Sequence, residues 1–434
     1  LIQLFILICL ETLLYMLSGM VDTLMLSSVN DQAVGAVGTA NTYIGIFIIM
    51  FSVISSGMVA VMTQNIGAGR PGVAYQARQL GLAFNAVLGV IMSLFLSLGA
   101  GTILSGVGVA DALMQPAKTY LQIVGGFCIL NALIPICSSY LRAFGFSKEP
   151  LYASIIGNVI NFCLNAFFLF VLHKGVAGVA TATVISRIIN LVIVVLLGAV
   201  LVKAKQHPER ESNRAVMGQI IRIGLPSACE TAIYNVSMTL VIRFLNQMDA
   251  QGLNVTARSY TMQITNFSYC VGAALAQANA IMTGWHIGAK EYDACDRGTK
   301  KAAVIGVIVA VILETVFTLC SGWIMQLFSK DPQMVSLVGK LLAIDIVLEI
   351  GRVTNLVYGQ ALKTSGDAVF PVVMGACFMI LCSVGGTYLF GIRLGLLAVG
   401  AYIGMTGDEC VRAVGMYLRW KSGKWKEKGL VKSR

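Results

Sequence analysis

Long apolar stretches alternate with short polar breaks along the whole chain. Cutting at those breaks and at Gly/Pro punctuation predicts twelve spans. They run roughly over 1–27, 37–63, 79–107, 118–142, 150–172, 176–202, 218–247, 256–285, 298–327, 333–362, 370–392 and 395–418. Each is long enough for a bilayer core, which takes about 20 mostly apolar residues per helix. The longest polar break, KAKQHPERESNRA at 203–215, falls near the middle. The expected organisation is an N-terminal six-helix lobe over 1–202, a linker over 203–217, a second six-helix lobe over 218–418 and a basic tail over 419–434. The opening run LIQLFILICLETLLYML has no cationic leader or small-residue cleavage site, so it reads as a spanning helix and not a signal peptide.

Composition agrees with an all-α integral membrane protein. Of 434 residues, 57% are apolar and only 12% charged, about half the charge of a soluble domain. Eleven cysteines are scattered singly with no CxxC and no Cys/His cluster, which points to small apolar packers and not to a disulfide or zinc framework. No glycine-rich phosphate loop, basic-aromatic platform, or Ser/His/Asp or Cys/His arrangement is present. Nucleic-acid binding, a resident cofactor and hydrolytic chemistry are therefore not expected, and no obligate protein partner is evident. His173 and His207 fall in loops, and His286 reads as a polar helix end.

The net charge of +11 is spread unevenly. Arg70, Arg78, Arg142, Lys148, the linker with Lys203, Lys205 and Arg210, the 290–301 stretch, Lys363 and the tail RWKSGKWKEKGLVKSR all fall on one side. The opposite loops hold Lys118, Lys174, Lys330 and Arg393. Short Lys/Arg-rich loops stay in the cytoplasm, so both termini and the linker are expected there, in a multi-pass protein of the cell membrane.

The halves echo one another. ETLLYMLS at 11–18 returns as ETAIYNVS at 230–237, and IGAG at 66–69 as IGAK at 287–290. LRAFGFSKEP at 141–150 returns as LKTSGDAVFP at 362–371, and GVAGVA at 175–180 as GLLAVG at 395–400. Every echo lies about 220 residues downstream, in the same order, which marks an internal repeat. Six spans per half is an even number, so the halves share one orientation. A pseudo-twofold axis along the membrane normal with a cavity between the lobes is expected.

Several segments carry a family resemblance: VDT at 21–23, QNIGAG at 64–69, LRAFGFSKEP at 141–150, GNVINFCLNAFFLF at 157–170 and GVAGVATATVISR at 175–187. RIGLPSACE at 222–230, EIGRVTN at 349–355, SGDAVFP at 365–371 and RWKSGKW at 419–425 continue the set. Over essentially its full length the chain resembles the multidrug and toxic compound extrusion (MATE) family. The resemblance implies a twelve-helix exporter of bulky, often cationic or amphipathic compounds, coupled to transported H+ or Na+. A lipid-linked oligosaccharide flippase of the same superfamily is the alternative, and would be expected to gather several basic residues in its cavity.

Interior ionisable residues are where coupling is expected, because each costs about 2.5–3.5 kcal/mol to insert at mid-membrane. Asp22 stands in the first span with no basic residue at helical spacing beside it. The matched motifs place Asn161, Asn165 and Thr183 beside it, an oxygen set suited to a hard cation. Here the chain departs from the family, since many bacterial members have an acid where Asn165 stands. In the second half Glu230 is expected as a further protonation site, with Glu349 and Arg352 either an internal ion pair or part of the coupling. Glu11 is the counterpart of Glu230, and each is followed four residues on by a tyrosine, Tyr15 or Tyr234, whose hydroxyl is expected to satisfy it. Asp408 and Glu409, with Arg412 nearby, read as structural or accessory. Methionines and aromatics are expected to meet the small organic cargo.

Overall fold

Apolar residues that recur without a polar stripe make helices buried all round, in protein or in lipid. The computed structural model describes the chain except for residues 28–30, 107–110, 204–206, 250–251, 327 and 432–434, together with the side chains of Asp31 and Ala112. Of the cations used to orient the chain, Lys205, Lys432 and Arg434 lie outside the described residues. Helices account for nearly all of the described backbone, and no strand is present among those residues.

The helices are α1 (Ile2–Ser27), α2 (Asp31–Gly67), α3 (Pro71–Gly106), α4 (Asp111–Tyr120), α5 (Ile129–Ala143), α6 (Lys148–Ala166) and α7 (Gly175–Leu201). They continue with α8 (Asn213–Met248), α9 (Leu253–Gly288), α10 (Tyr292–Leu319), the short α11 (Ser321–Met325), α12 (Pro332–Ser365), α13 (Val369–Phe378) and α14 (Leu397–Lys421). The pair α4 and α5 makes one span, bent by 43°. Wide π turns extend α6 over Phe167–Val171 and follow α13 over Met379–Val384 and Thr387–Arg393. With α11 set aside as too short to cross, twelve spans remain, the number expected from the hydropathy pattern. Among the described residues seven helices are long and apolar enough to cross a bilayer on composition alone, or eight with the bent pair. The spans that fall short are α8, α9, α12 and α14, which carry most of the interior charge described below.

Two compact units divide the chain, one of Leu10–Leu225 and one of Pro226–Arg434 with Leu1–Cys9. The divisions fall inside α1 and α8, and not in the 203–217 loop where the sequence was cut. Within the first unit the buried core mixes small residues such as Ala36, Ala40, Ala100 and Ala117 with larger ones such as Phe51, Leu96 and Leu121. Helices approach to backbone contact there: a Cβ on Gly57 would lie 1.9 Å from Ile220 O, and one on Gly224 1.7 Å from Val53 O. Close small-residue packing of this kind is how helices associate where lipid is as apolar as leucine. In the second unit α12 is the hub, packed against α9, α10 and α14. Large apolar side chains point outward, Leu98 being 83% exposed and Leu319 80%, as lipid-facing surfaces require.

The backbone repeats as well as the sequence. Left-handed residues stand at Gly69, Gly145, His173 and Gly175 in the first half and at Lys290, Gly366, Gly395 and Leu397 in the second. Each follows its counterpart by about 220 residues, the period of the sequence echoes. Glycine holds this conformation without strain, but at φ 60° Lys290 does not. Lys290→Gly is expected to raise stability by about 1 kcal/mol, read as a higher melting temperature in detergent; Gly69→Lys is expected to lower it.

Candidate functional site

In the Leu10–Leu225 unit the site is built on α1 and α6. Asn161 and Asn165 are four residues apart and share one face of α6, and that face meets Asp22 on α1. The Asn165 Nδ2 donates to Asp22 Oδ1 at 2.6 Å and to Asn161 Oδ1 at 3.2 Å. Asn161 and Asn165 are buried, whereas Asp22 is half-buried. The structure therefore brings Asp22, Asn161 and Asn165 together, and Asn165 offers the acid its NH2 and not its carbonyl. Its Oδ1 is left buried without a hydrogen bond. Thr183 on α7 is buried, and its hydroxyl donates to Val179 O at 2.9 Å on its own helix.

The two octapeptide glutamates do not pair with their tyrosines. Glu11 Oε2 lies 2.5 Å from Arg142 Nη2, and Glu11 Oε1 accepts from Ser154 Oγ at 3.4 Å. Tyr15 is 67% exposed. In the other unit Glu230 Oε2 lies 2.5 Å from Lys363 Nζ. Spacing of four residues put a phenol within reach on the same helix, yet a full opposite charge on a neighbouring helix outcompetes it in a low dielectric. The pairing is itself duplicated, because Arg142 and Lys363 occupy matching positions in LRAFG and LKTSG. Glu11 and Glu230 match likewise.

The Pro226–Arg434 unit holds a cavity of about 390 Å³, within the range of small-molecule sites. Its walls include Tyr234, Tyr269, Met238 and Met262, with Glu230, Asp345, Asp408 and Glu409 facing Arg258, Arg352, Lys363 and Arg412. An ionic network joins α12 to α14. Arg352 bonds Glu349 three residues back, and its Nε lies 3.7 Å from Glu409 Oε1. Arg412 Nη2 contacts the same Glu409 oxygen at 2.9 Å, and Arg412 Nε donates to Asp408 Oδ1 at 2.8 Å. Ser383 Oγ and Asn355 Nδ2 donate to Asp408 and Glu409, each at 3.0 Å. Asp408 and Glu409 are thus anchored on both sides. Among the described residues Arg258 makes no ion pair; its Nη2 lies 3.7 Å from Met238 Sδ.

Two acids stand out that the sequence reading passed over. Glu314 on α10 and Asp345 on α12 are buried, and with Glu349 they place carboxylate oxygens within 4.8 Å of one another. One signal was available: Asp345 precedes Glu349 by four residues, on the same helix face. The third member comes from a separate helix, where Glu314 is a single acid in the run VIVAVILETVFTL. Its partners are set by packing and not by spacing.

The MatE family model matches residues 8–167 and 226–389, one match in each repeat. The uncharacterized transporter YisQ of Bacillus subtilis (strain 168) is 34% identical over 98% of this chain and 94% of its own length. The probable multidrug resistance protein NorM of Thermotoga maritima is 22% identical, across 97% of this chain and 91% of its own. A crystal structure of MATE in the straight conformation shares the fold, with a TM-score of 0.86 at 18% identity over 98% of this chain and 96% of that one.

The Glu11–Arg142 pair is nearly buried, at 15% and 9% side-chain exposure. Glu11→Gln or Arg142→Gln alone is expected to cost about 3 kcal/mol, because each leaves an uncompensated charge. The double variant is expected to recover much of that loss. A double-mutant cycle on melting temperature checks the non-additivity.

Proposed function

The chain belongs to the MatE family, whose members are multi-pass membrane transporters of multidrug efflux and not enzymes, and from that premise we propose that it is a cation-coupled antiporter. It exports bulky organic compounds, cationic or amphipathic, from the cytoplasm by alternating access, driven by inward flow of H+ or Na+. It sits in the cell membrane with both termini cytoplasmic. The observation that carries this reading is the set of ionisable side chains turned inward on helices that are otherwise apolar. Interior charges in a membrane protein face cavities or partners and serve ion pathways.

Asp22 with Asn161, Asn165 and Thr183 takes the ion in the first unit. Glu230, Glu349 and Arg352 serve the second, with Glu11, Tyr15, Tyr234, Asp408 and Glu409 accessory. The cargo is accepted by the cavity of the second unit, where thioethers and ring faces tolerate varied shapes. Coupling requires that ion and cargo favour different conformations, since a ligand shifts an equilibrium only by its differential affinity.

One observation favours the flippase reading of the same superfamily: four basic side chains line that cavity. Three of them are held by carboxylates, which leaves Arg258 to meet an anionic headgroup. Restored growth of cells lacking a cell-wall lipid flippase is the result that reading expects.

The antiport reading is tested by efflux of a fluorescent organic cation from proteoliposomes with an imposed proton or sodium gradient. Wild-type efflux is expected to follow one of the two gradients. Asp22→Asn is expected to reduce the gradient-driven component by about tenfold, within the range of coupling between linked sites. Efflux that ignores both gradients, or that survives neutralisation of both Asp22 and Glu230, contradicts it.

A further inference from the structure

Four acids and four bases line the cavity of the second unit. Most of them are matched to one another: Lys363 holds Glu230, Arg352 holds Glu409, and Arg412 holds both Asp408 and Glu409. Arg258 is the base left over. Asp345 is the acid left over, and the two form no ion pair with each other. Arg258 is only 6% exposed, so its charge is not spread over solvent or headgroups at the helix end. Its Nη2 lies 3.7 Å from the Met238 thioether, and its Nε is buried with no hydrogen-bond partner among the described residues. A guanidinium carries five N–H donors, and a thioether sulfur is a weak acceptor for any of them. A buried cation held this way is strongly unfavourable until an anion meets it.

We propose that Arg258 is the recognition point for an anionic group, a carboxylate or a phosphate, on an amphipathic cargo with an apolar body. The guanidinium fork fits either group through two parallel hydrogen bonds, which a point charge does not do. The wall beyond it suits the body. Met262, Thr265 and Tyr269 follow Arg258 along one lining face of α9. The eleven residues from Arg258 to Tyr269 make about 16 Å of that wall at the rise of an α-helix. Met238 of α8 and Tyr402 and Met405 of α14 line the same cavity. Thioethers and ring faces accept varied apolar shapes. A cargo with positive charge alone leaves Arg258 unmet, whereas one that also carries an anion satisfies it. A lipid phosphate and a soluble organic carboxylate share this chemistry. The inference deepens the transport reading and rests on it only for the cavity being where cargo sits.

The test is binding with no ion gradient, by fluorescence polarisation of the full chain in uncharged dodecyl maltoside micelles. The probes are rhodamine B, a ring cation with a free carboxylate, and its ethyl ester, the same cation without the anion. The wild type is expected to bind rhodamine B about tenfold or more tightly than the ester, the worth of a charge-assisted hydrogen bond. Arg258→Met keeps an unbranched apolar chain and drops the charge, and it is expected to erase that preference by weakening rhodamine B alone. Arg258→Lys keeps the charge without the fork and is expected to retain only part of it. A base that merely held the fold together would lower the melting temperature on removal and leave the preference in place. Ligand-free Arg258→Met is instead expected to melt no lower than the wild type, because the charge it loses is unpaired. Dihexanoylphosphatidylglycerol below its micellar concentration tells the two sources apart. Displacement of rhodamine B assigns the site to a lipid phosphate, and no displacement assigns it to a soluble carboxylate compound. The proposal is overturned if the wild type binds the ester as tightly as rhodamine B. It is also overturned if the preference is unchanged in whichever Arg258 variants fold. A preference for the carboxylate with gradient-independent efflux would keep the recognition and remove the antiport; gradient-driven efflux with no preference would do the reverse.

Discussion

A carboxylate taken out of water into a helix bundle loses several kcal/mol of hydration unless a donor, an opposite charge or an ion replaces it. The helices of this protein meet that demand in three ways. Asp22 is met by an amide, Glu11 and Glu230 by a base on another helix, and Asp408 and Glu409 by a network through Arg352 and Arg412. Glu314 has the Ser268 hydroxyl of α9 beside it. The apolar exteriors follow from the bilayer, but the polar interiors are what select which helix faces turn inward. The spans that fail a simple apolarity test, α8, α9, α12 and α14, are the ones that build the charged cavity.

Duplication explains much of the geometry and also where the halves part. The left-handed turns and the Glu11–Arg142 and Glu230–Lys363 pairs recur in both repeats, so they belong to the doubled scaffold. The interior polar groups have diverged around them. One unit carries a single aspartate among asparagines, a compact arrangement. The other carries a surplus of acid with arginines inserted among it.

What could be read from the chain depended on how far apart the interacting residues are in sequence. Twelve apolar spans and a repeat of about 220 residues are one-dimensional signals, and both are visible in the helices and turns. Pairs on one helix were also legible, because three- and four-residue spacing fixes a shared face: Glu349 with Arg352, and Asp408 with Arg412. The same rule misled for Glu11 and Glu230. There Tyr15 and Tyr234 have the right spacing, but stronger partners sit on other helices. Glu314 was invisible for a related reason, since its neighbours Asp345, Glu349 and Ser268 come from α12 and α9. Asn165 was recognised by motif, but which end of its amide meets Asp22 is a matter of local geometry that composition does not encode.

The central claim is that interior carboxylates exchange a cation against organic cargo, and linkage makes it measurable without transport. Calorimetric titration of the purified protein with a fluorescent organic cation, at low and at saturating concentrations of the coupling ion, gives the change in cargo affinity. The reverse titration gives the change in ion affinity. The account predicts that each ligand weakens the other by the same factor, because a coupling free energy is reciprocal. Affinities that do not depend on the other ligand, in either direction, would contradict it.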